Sequence, residues 1–298
     1  LGVRYHVSLE AALPSDWAQA LFAPSRWLDD RVRSGGTRPL FRLAWPTADD
    51  EVPLFKPVAK TPMPPQMKPL PEALSSGQFL PTLVQQKLRP GSQRILLAGD
   101  SMMQGIAPLL MHDLSRLHPD WEVQDLSRQS TGLTVRRYFD WPARIVDEMD
   151  ARNLTLVVIF LGPNDPWDMV VDGQRHVFPS SGWALHYAKR VDEIVSAAAE
   201  RQVRVIWMGL PSMREGRVRD GAVLQNHIFH ERALNWGTDY LATEPLIGVL
   251  SAPFKKFKQE PGATALNLRA EDGIHLTPSG LRLIKQALLE HIQKATPP

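Results

Sequence analysis

Apolar and polar positions change rhythm three times along this chain of 298 residues. From about Arg94 onward, short aliphatic runs alternate with longer stretches in which apolar residues recur every three or four positions. The short runs Ile95–Ala98, Trp121–Leu126, Leu154–Leu161, Val203–Gly209 and Asp239–Ala242 predict strands. Leu154–Leu161 is apolar on both faces, as a central parallel strand has to be. The longer stretches predict helices over 102–118, parts of 134–150, 184–201, 221–235 and 278–295. The last opens with Thr277-Pro278, an N-cap followed by a proline in the first helical position. Strands separated by helices of this length imply right-handed crossovers, hence a three-layer α/β/α sandwich on a five-stranded parallel sheet, flavodoxin-like in architecture. There is no internal repeat.

The first ninety residues follow other rules. Residues 1–52 hold short amphipathic pieces, Ser15–Phe22 and Ser25–Leu28, each starting on a residue that suits an N-cap. From Pro53 to Pro90 there are nine prolines, a density that excludes a regular helix or a central strand. The expected organisation is therefore an N-terminal extension (1–52), an extended connector (53–91) and the α/β domain (92–298). Leu54, Phe55, Met63, Met67 and Leu70 suggest that the connector lies against that domain.

The candidate chemistry starts at Gly99-Asp100-Ser101, directly behind the first strand. A strand ending at a glycine and handing over to a serine puts the hydroxyl at the C-terminal edge of a sheet. It also stands at a helix N-terminus, where free N–H groups favour developing negative charge. Taken alone, this serine could be only a cap. Two further segments give it weight: Gly162-Pro163-Asn164-Asp165 behind the third strand, and Asp272-Gly273-Ile274-His275 before the last helix. Ligands of open parallel sheets bind beyond the carboxyl ends of the strands, so all three segments can reach one crevice.

Composition narrows the class. Lys and Arg total 34 against 32 Asp and Glu, which offers nothing to nucleic acid, and Lys255-Lys256-Phe257-Lys258 reads as a solvated loop. Cysteine is absent, which excludes disulfides and thiolate metal sites. No apolar run approaches the roughly 18–20 residues that cross a bilayer. The chain begins at Leu1 rather than Met. With the proline-rich neck, this leads to the expectation of a periplasmic domain, with a leader or membrane tether upstream of residue 1.

In order and spacing these segments resemble the conserved blocks of the SGNH (GDSL-type) hydrolase superfamily. The matches are Gly-Asp-Ser at Ser101, a glycine at Gly132, Gly-x-Asn-Asp at Asn164, and Asp-x-x-His ending at His275, over residues 92–297. Phe139-Asp140-Trp141-Pro142 and the stretch Trp183, Tyr187, Arg190 look like a bacterial, envelope-associated subfamily. The resemblance implies an oxyanion hole made by the backbone N–H groups of Ser101 and Gly132 and the side-chain amide of Asn164. A serine hydroxyl needs a base, for which His275 is the candidate, with Asp272 to fix its tautomer. A side chain at 132 would obstruct the substrate carbonyl. Asp100 and Asp165 read as turn-forming residues, Gly99, Gly105 and Gly162 as backbone requirements, and Met102 and Met103 as packing. No cofactor and no metal are implied. His227, His230 and Glu231 read as a solvated helix face rather than a metal site.

The expected activity is that of a serine esterase on O-acyl groups, chiefly O-acetyl, of an envelope carbohydrate. An acyltransferase using the same triad is the alternative, and a non-catalytic glycan-binding module the alternative of another class. Trp141, Trp167 and Trp183 are candidates for stacking on sugar faces, with core packing the competing role for each. Asp172-Gly173 is a hairpin signal. The hairpin would form a flap over the site, from which Arg175 could select an acylated saccharide or an anionic acyl group.

Overall fold

The protein is represented by a computed structural model that describes residues 80–250, 252–259, 262 and 264–294. The expected short helices of 1–52, and the connector up to residue 79 with its five apolar residues, lie outside the described residues.

Five parallel strands form the sheet: β1 (Arg94–Gly99), β2 (Glu122–Asp125), β3 (Leu156–Phe160), β6 (Arg204–Met208) and β7 (Asp239–Leu241), in the order β2-β1-β3-β6-β7. Every residue of β3 and β6 is buried, as the inner strands of a sheet covered on both faces require. At the outer edge, β2 reads Glu-Val-Gln-Asp and turns polar groups to solvent. The chain moves left from β1 to β2, then right to β3, β6 and β7. Right-handed crossovers therefore place α1 (Ser101–Leu117) on one face, and α2 (Trp141–Arg152), α3 (Ser181–Glu200) and α4 (Gly216–Trp236) on the other. The packing agrees: α1 pairs with α6 (Pro278–Lys294), α2 with α3, and α3 with α4.

The helix starts are chemically marked. Asp100, Asp140, Ser180 and Glu215 each accept a backbone N–H of the first turn with their side chains, for α1 to α4 in turn. For α6, the Gly280 N–H reaches Thr277 Oγ1 at 3.3 Å. The fourth helix begins a full turn before the expected 221, because Glu215 binds the N–H groups of Arg217 and Val218. Three small features carry no periodicity and were not expected: α5 (Glu244–Ile247), and the antiparallel pair β8 (Phe257–Lys258) with β9 (Leu266–Asn267).

The far edge is closed by the segment before the sheet. Leu83 and Tyr240 exchange backbone hydrogen bonds of 2.8 and 3.1 Å, antiparallel to β7. Buried Asp239 anchors this join. Its carboxylate accepts from the Gln85 N–H at 2.6 Å, the Gln86 N–H at 3.0 Å, Arg204 Nε at 3.0 Å and His291 Nε2 at 3.0 Å. With Arg204 Nη2 on the same carboxylate, five donors meet the cost of burying its charge.

Candidate active site

The C-terminal ends of β1 and β3 bring the motif segments together. Ser101 is the first residue of α1, and its Oγ lies 2.8 Å from His275 Nε2. Its partner nitrogen, His275 Nδ1, lies 2.6 Å from Asp272 Oδ2. Asp272 Oδ1 accepts the N–H groups of Ile274 at 2.7 Å and His275 at 2.9 Å, so the acid orients both the ring and its own loop. Burial works to raise the Asp272 pKa. The hydrogen bond and charge of His275, with the two N–H groups, outweigh it and hold the carboxyl at about 2. The carboxylate stays charged wherever a neutral imidazole can act as a base.

A residue that sequence reasoning did not single out anchors the same loop. Arg269 is fully buried, and its Nη2 donates to the carbonyls of Gly273 at 3.0 Å and Ile274 at 2.9 Å, while Nη1 reaches Ser212 O. Burial lowers its pKa to about 10, which leaves the guanidinium charged at neutral pH.

Asp100 ties the nucleophile to the third motif. One carboxylate oxygen accepts the Met102 N–H at 2.8 Å, and the other accepts the Gly162 N–H at 2.9 Å and Asn164 Nδ2 at 3.3 Å. Complete burial raises the Asp100 pKa to about 7 against the pull of those backbone N–H groups. Asn164 Nδ2 also donates to the Thr131 carbonyl at 2.9 Å, next to Gly132. The structure therefore brings Ser101, Gly132, Asn164, Asp272 and His275 into one connected set.

Gly132 has a different physical reason from the expected one. A Cβ there would lie 2.3 Å from Asp165 Oδ1, so the residue is small because a buried carboxylate occupies the space. That carboxylate holds the glycine loop in place, accepting from Thr134 N at 2.8 Å and Tyr187 Oη at 2.8 Å. Burial raises the Asp165 pKa in turn, partly offset by the Leu133 and Thr134 N–H groups.

Two of the expected sugar platforms are corrected. Trp141 and Trp183 are both 0% exposed. Trp141 bonds Thr131 Oγ1 at 3.0 Å and packs edge-on against Phe139, and Trp183 stacks on Tyr187 and donates to Trp167 O at 2.8 Å. Neither ring has a face to offer a ligand; both are scaffold for the loops around the site. Trp167 is half-buried under the Arg217 guanidinium, 4.7 Å from its ring centre. The hairpin forms as β4 (Met169–Val171) and β5 (Gln174–His176) about Asp172 and Gly173, both at positive φ (50° and 76°). It leans on α3 through the rings of His176 and His186, with centroids 4.2 Å apart. Arg175 is exposed but pairs with Asp168, its Nε at 2.9 Å, so its charge is already matched.

His227 and His230 are half-buried, and His230 sets its ring edge-on to Tyr240. Among the described residues no group of three or more His, Asp and Glu side chains is placed to hold a metal ion, and no helix is long and apolar enough to cross a membrane.

A serine, a histidine and an aspartate in line at the carboxyl edge of a doubly wound sheet, with a glycine loop and an asparagine beside them, give this chain the SGNH hydrolase fold. The family described as protein of unknown function DUF459 matches residues 94–291, well over half of the chain, and the chain belongs to it. No curated protein matches the chain. Solved structures similar to it include TesA, 16% identical over 68% of this chain and 99% of that one, with a TM-score of 0.47. The psychrotrophic esterase EstA from Pseudoalteromonas sp. is 15% identical over 68% and 97%, with a TM-score of 0.47. A catalytic mutant of Axe2, an acetylxylan esterase from Geobacillus stearothermophilus, is 18% identical over 67% and 94%, with a TM-score of 0.49.

Proposed function

We propose that this protein is a serine esterase that removes O-acyl groups, chiefly acetyl, from a carbohydrate of the bacterial envelope. The observation that carries the reading is the unbroken relay from Ser101 Oγ through His275 to Asp272, with bonds of 2.8 and 2.6 Å. In the proposed reaction His275 Nε2 takes the Ser101 proton as Oγ attacks the ester carbonyl. The resulting oxyanion is met by the N–H groups of Ser101 and Gly132 and by the Asn164 amide. Collapse breaks the bond to the sugar oxygen, which leaves with the proton from His275. Water then repeats the sequence on the acyl-enzyme, releasing the acid and restoring Ser101. Asn164 Nδ2 is held by Thr131 O at 2.9 Å and makes only a long contact, 3.3 Å, with Asp100, so the N–H on the Asp100 side is the one left for the oxyanion.

The test is acetate release from an O-acetylated polysaccharide, together with covalent labelling of Ser101 by a fluorophosphonate. Both should occur with the wild-type chain and vanish in Ser101→Ala. Absence of both from folded wild-type protein would leave the glycan-binding reading instead.

A further inference from the structure

The sheet order places an exposed arginine on each side of the catalytic residues. Arg128 lies in the loop leaving β2, Arg214 in the loop leaving β6, and β1 and β3, which carry Ser101 and Asn164, stand between them. Three strand spacings of about 4.8 Å separate those flanks, roughly 14 Å, which is longer than one sugar ring. Both arginines are fastened to the catalytic loops by their backbones. The Arg128 N–H donates to Gly99 O at 2.8 Å, two residues before the nucleophile, and the Arg214 N–H donates to Gly273 O at 3.1 Å, two residues before the base.

Their side chains are arranged as well. The Arg128 guanidinium lies 5.0 Å from the Phe139 ring centre and 5.8 Å from that of Tyr138, contacts that place it beside two aromatic rings and not beside a carboxylate. Arg214 runs across Gly273, where a Cβ would come within 2.4 Å of Arg214 Cβ and 3.0 Å of its Nε. Carboxylates on the surrounding loops are paired elsewhere: Asp168 with Arg175 and Arg217, Asp140 with Arg136, and Glu271 with Lys256. Among the described residues neither Arg128 nor Arg214 makes an ion pair.

We infer that the esterified saccharide is acidic, with Arg128 and Arg214 each binding a carboxylate on the sugars that flank the esterified one. This rests on the esterase reading for where the ester sits. His275 must protonate the leaving sugar oxygen, so the alcohol half lies by the loop that Arg214 covers, and three sugars laid across the strand ends from there span the roughly 14 Å to the Arg128 flank. A planar guanidinium binds a carboxylate through two parallel N–H bonds, so each arginine suits a uronate-type sugar. The charge is read on the carbohydrate and not on the acyl group.

The experiment measures binding separately from turnover. Calorimetry on Ser101→Ala compares acetylated trigalacturonate with acetylated xylotriose at low and high salt. The expected result is at least tenfold tighter binding of the acidic ligand at low salt, a preference that shrinks as salt rises. Arg128→Gln and Arg214→Gln should each cut that preference severalfold, and Arg214→Lys should keep part of it. A parallel assay on wild type compares the aryl esters of butyrate and hemisuccinate, which have acyl chains of four carbons and differ in the terminal carboxylate, and no preference for hemisuccinate is expected. Equal affinity for the two trisaccharides, a preference that survives both substitutions, or a preference confined to the hemisuccinate would overturn the inference. Tight binding of the acidic ligand without acyl release by wild type would remove the esterase reading and leave the anion site standing.

Discussion

Two consecutive short hydrogen bonds join Ser101, His275 and Asp272, and groups connected in this way work as a unit. Ser101→Ala and His275→Ala are each expected to abolish turnover of a small aryl ester, and the double variant to lose little more than either. Additive losses in steady-state rates would show that the two groups act separately. Asp272→Asn should retain more activity than either. Asn164→Ala should lower kcat by roughly 100-fold or more with little change in KM, since its amide meets full charge only in the transition state. Parallel kcat and KM measurements decide between that and a ground-state contact. The two aspartates also titrate in opposite senses. Asp272 is held at about 2 below its ordinary 3.8, so its stabilisation is complete above pH 4 and lost as pH falls toward 2. Asp100 is raised by burial to about 7, so the folded state keeps a proton that the unfolded chain has released, and stability falls as pH rises from about 4 to 7. Urea midpoints across pH 2–8 should show both limbs. Asp272→Asn should flatten the acid limb, and Asp100→Asn the limb between 4 and 7, whatever either does to absolute stability.

One face of α3 does more for the site than any single loop. Trp183, Tyr187 and Arg190, spaced i, i+4 and i+7, reach Trp167 O, Asp165 Oδ2 and Leu133 O, holding the Asn164 loop and the Gly132 loop against a common support. Gln225 on α4 extends the network to Gly162 O at 2.9 Å and to the Tyr187 hydroxyl at 2.9 Å. Tyr187→Phe should therefore destabilise the protein by about 1–3 kcal/mol, because it strips a donor from a buried carboxylate. Denaturant melts at neutral pH would register it, and no change would mean that Asp165 finds another donor. This arrangement also explains what could be read from residues alone. The five strands and five long helices were legible because their apolar spacing is local, and the contact of Ser101 with His275 and Asp272 because one motif follows a strand end and the other precedes the last helix, at the same edge of the sheet. The roles of Trp141 and Trp183 were not, since an aromatic near a strand end carries the same letters whether its ring faces a ligand or the core. Arg269 and Gln225 were missed for a related reason: a buried polar side chain declares its function only through distant carbonyls.

At the scale of the molecule, the site draws on loops from β1, β2, β3 and β6 and on the turn before α6, so its geometry depends on the sheet being complete. The join at the β7 edge contributes to that completeness. Asp239 receives Gln85 and Gln86 from the segment before β1 and His291 from the helix at the opposite end of the α/β domain. One carboxylate thus gathers the beginning and the end of the domain within a side chain's reach of each other. Proximity of this kind makes the linear order of the elements dispensable. A circularly permuted domain, with a short flexible bridge from Lys294 to Leu80 and new ends cut between Asp172 and Gly173 at the exposed hairpin tip, should keep the same sheet and the same relay. Its far-ultraviolet circular dichroism and its fluorophosphonate labelling should match those of the parent. The connectivity of the chain would then be a matter of ancestry, and the carboxylate at the sheet edge the physical clasp.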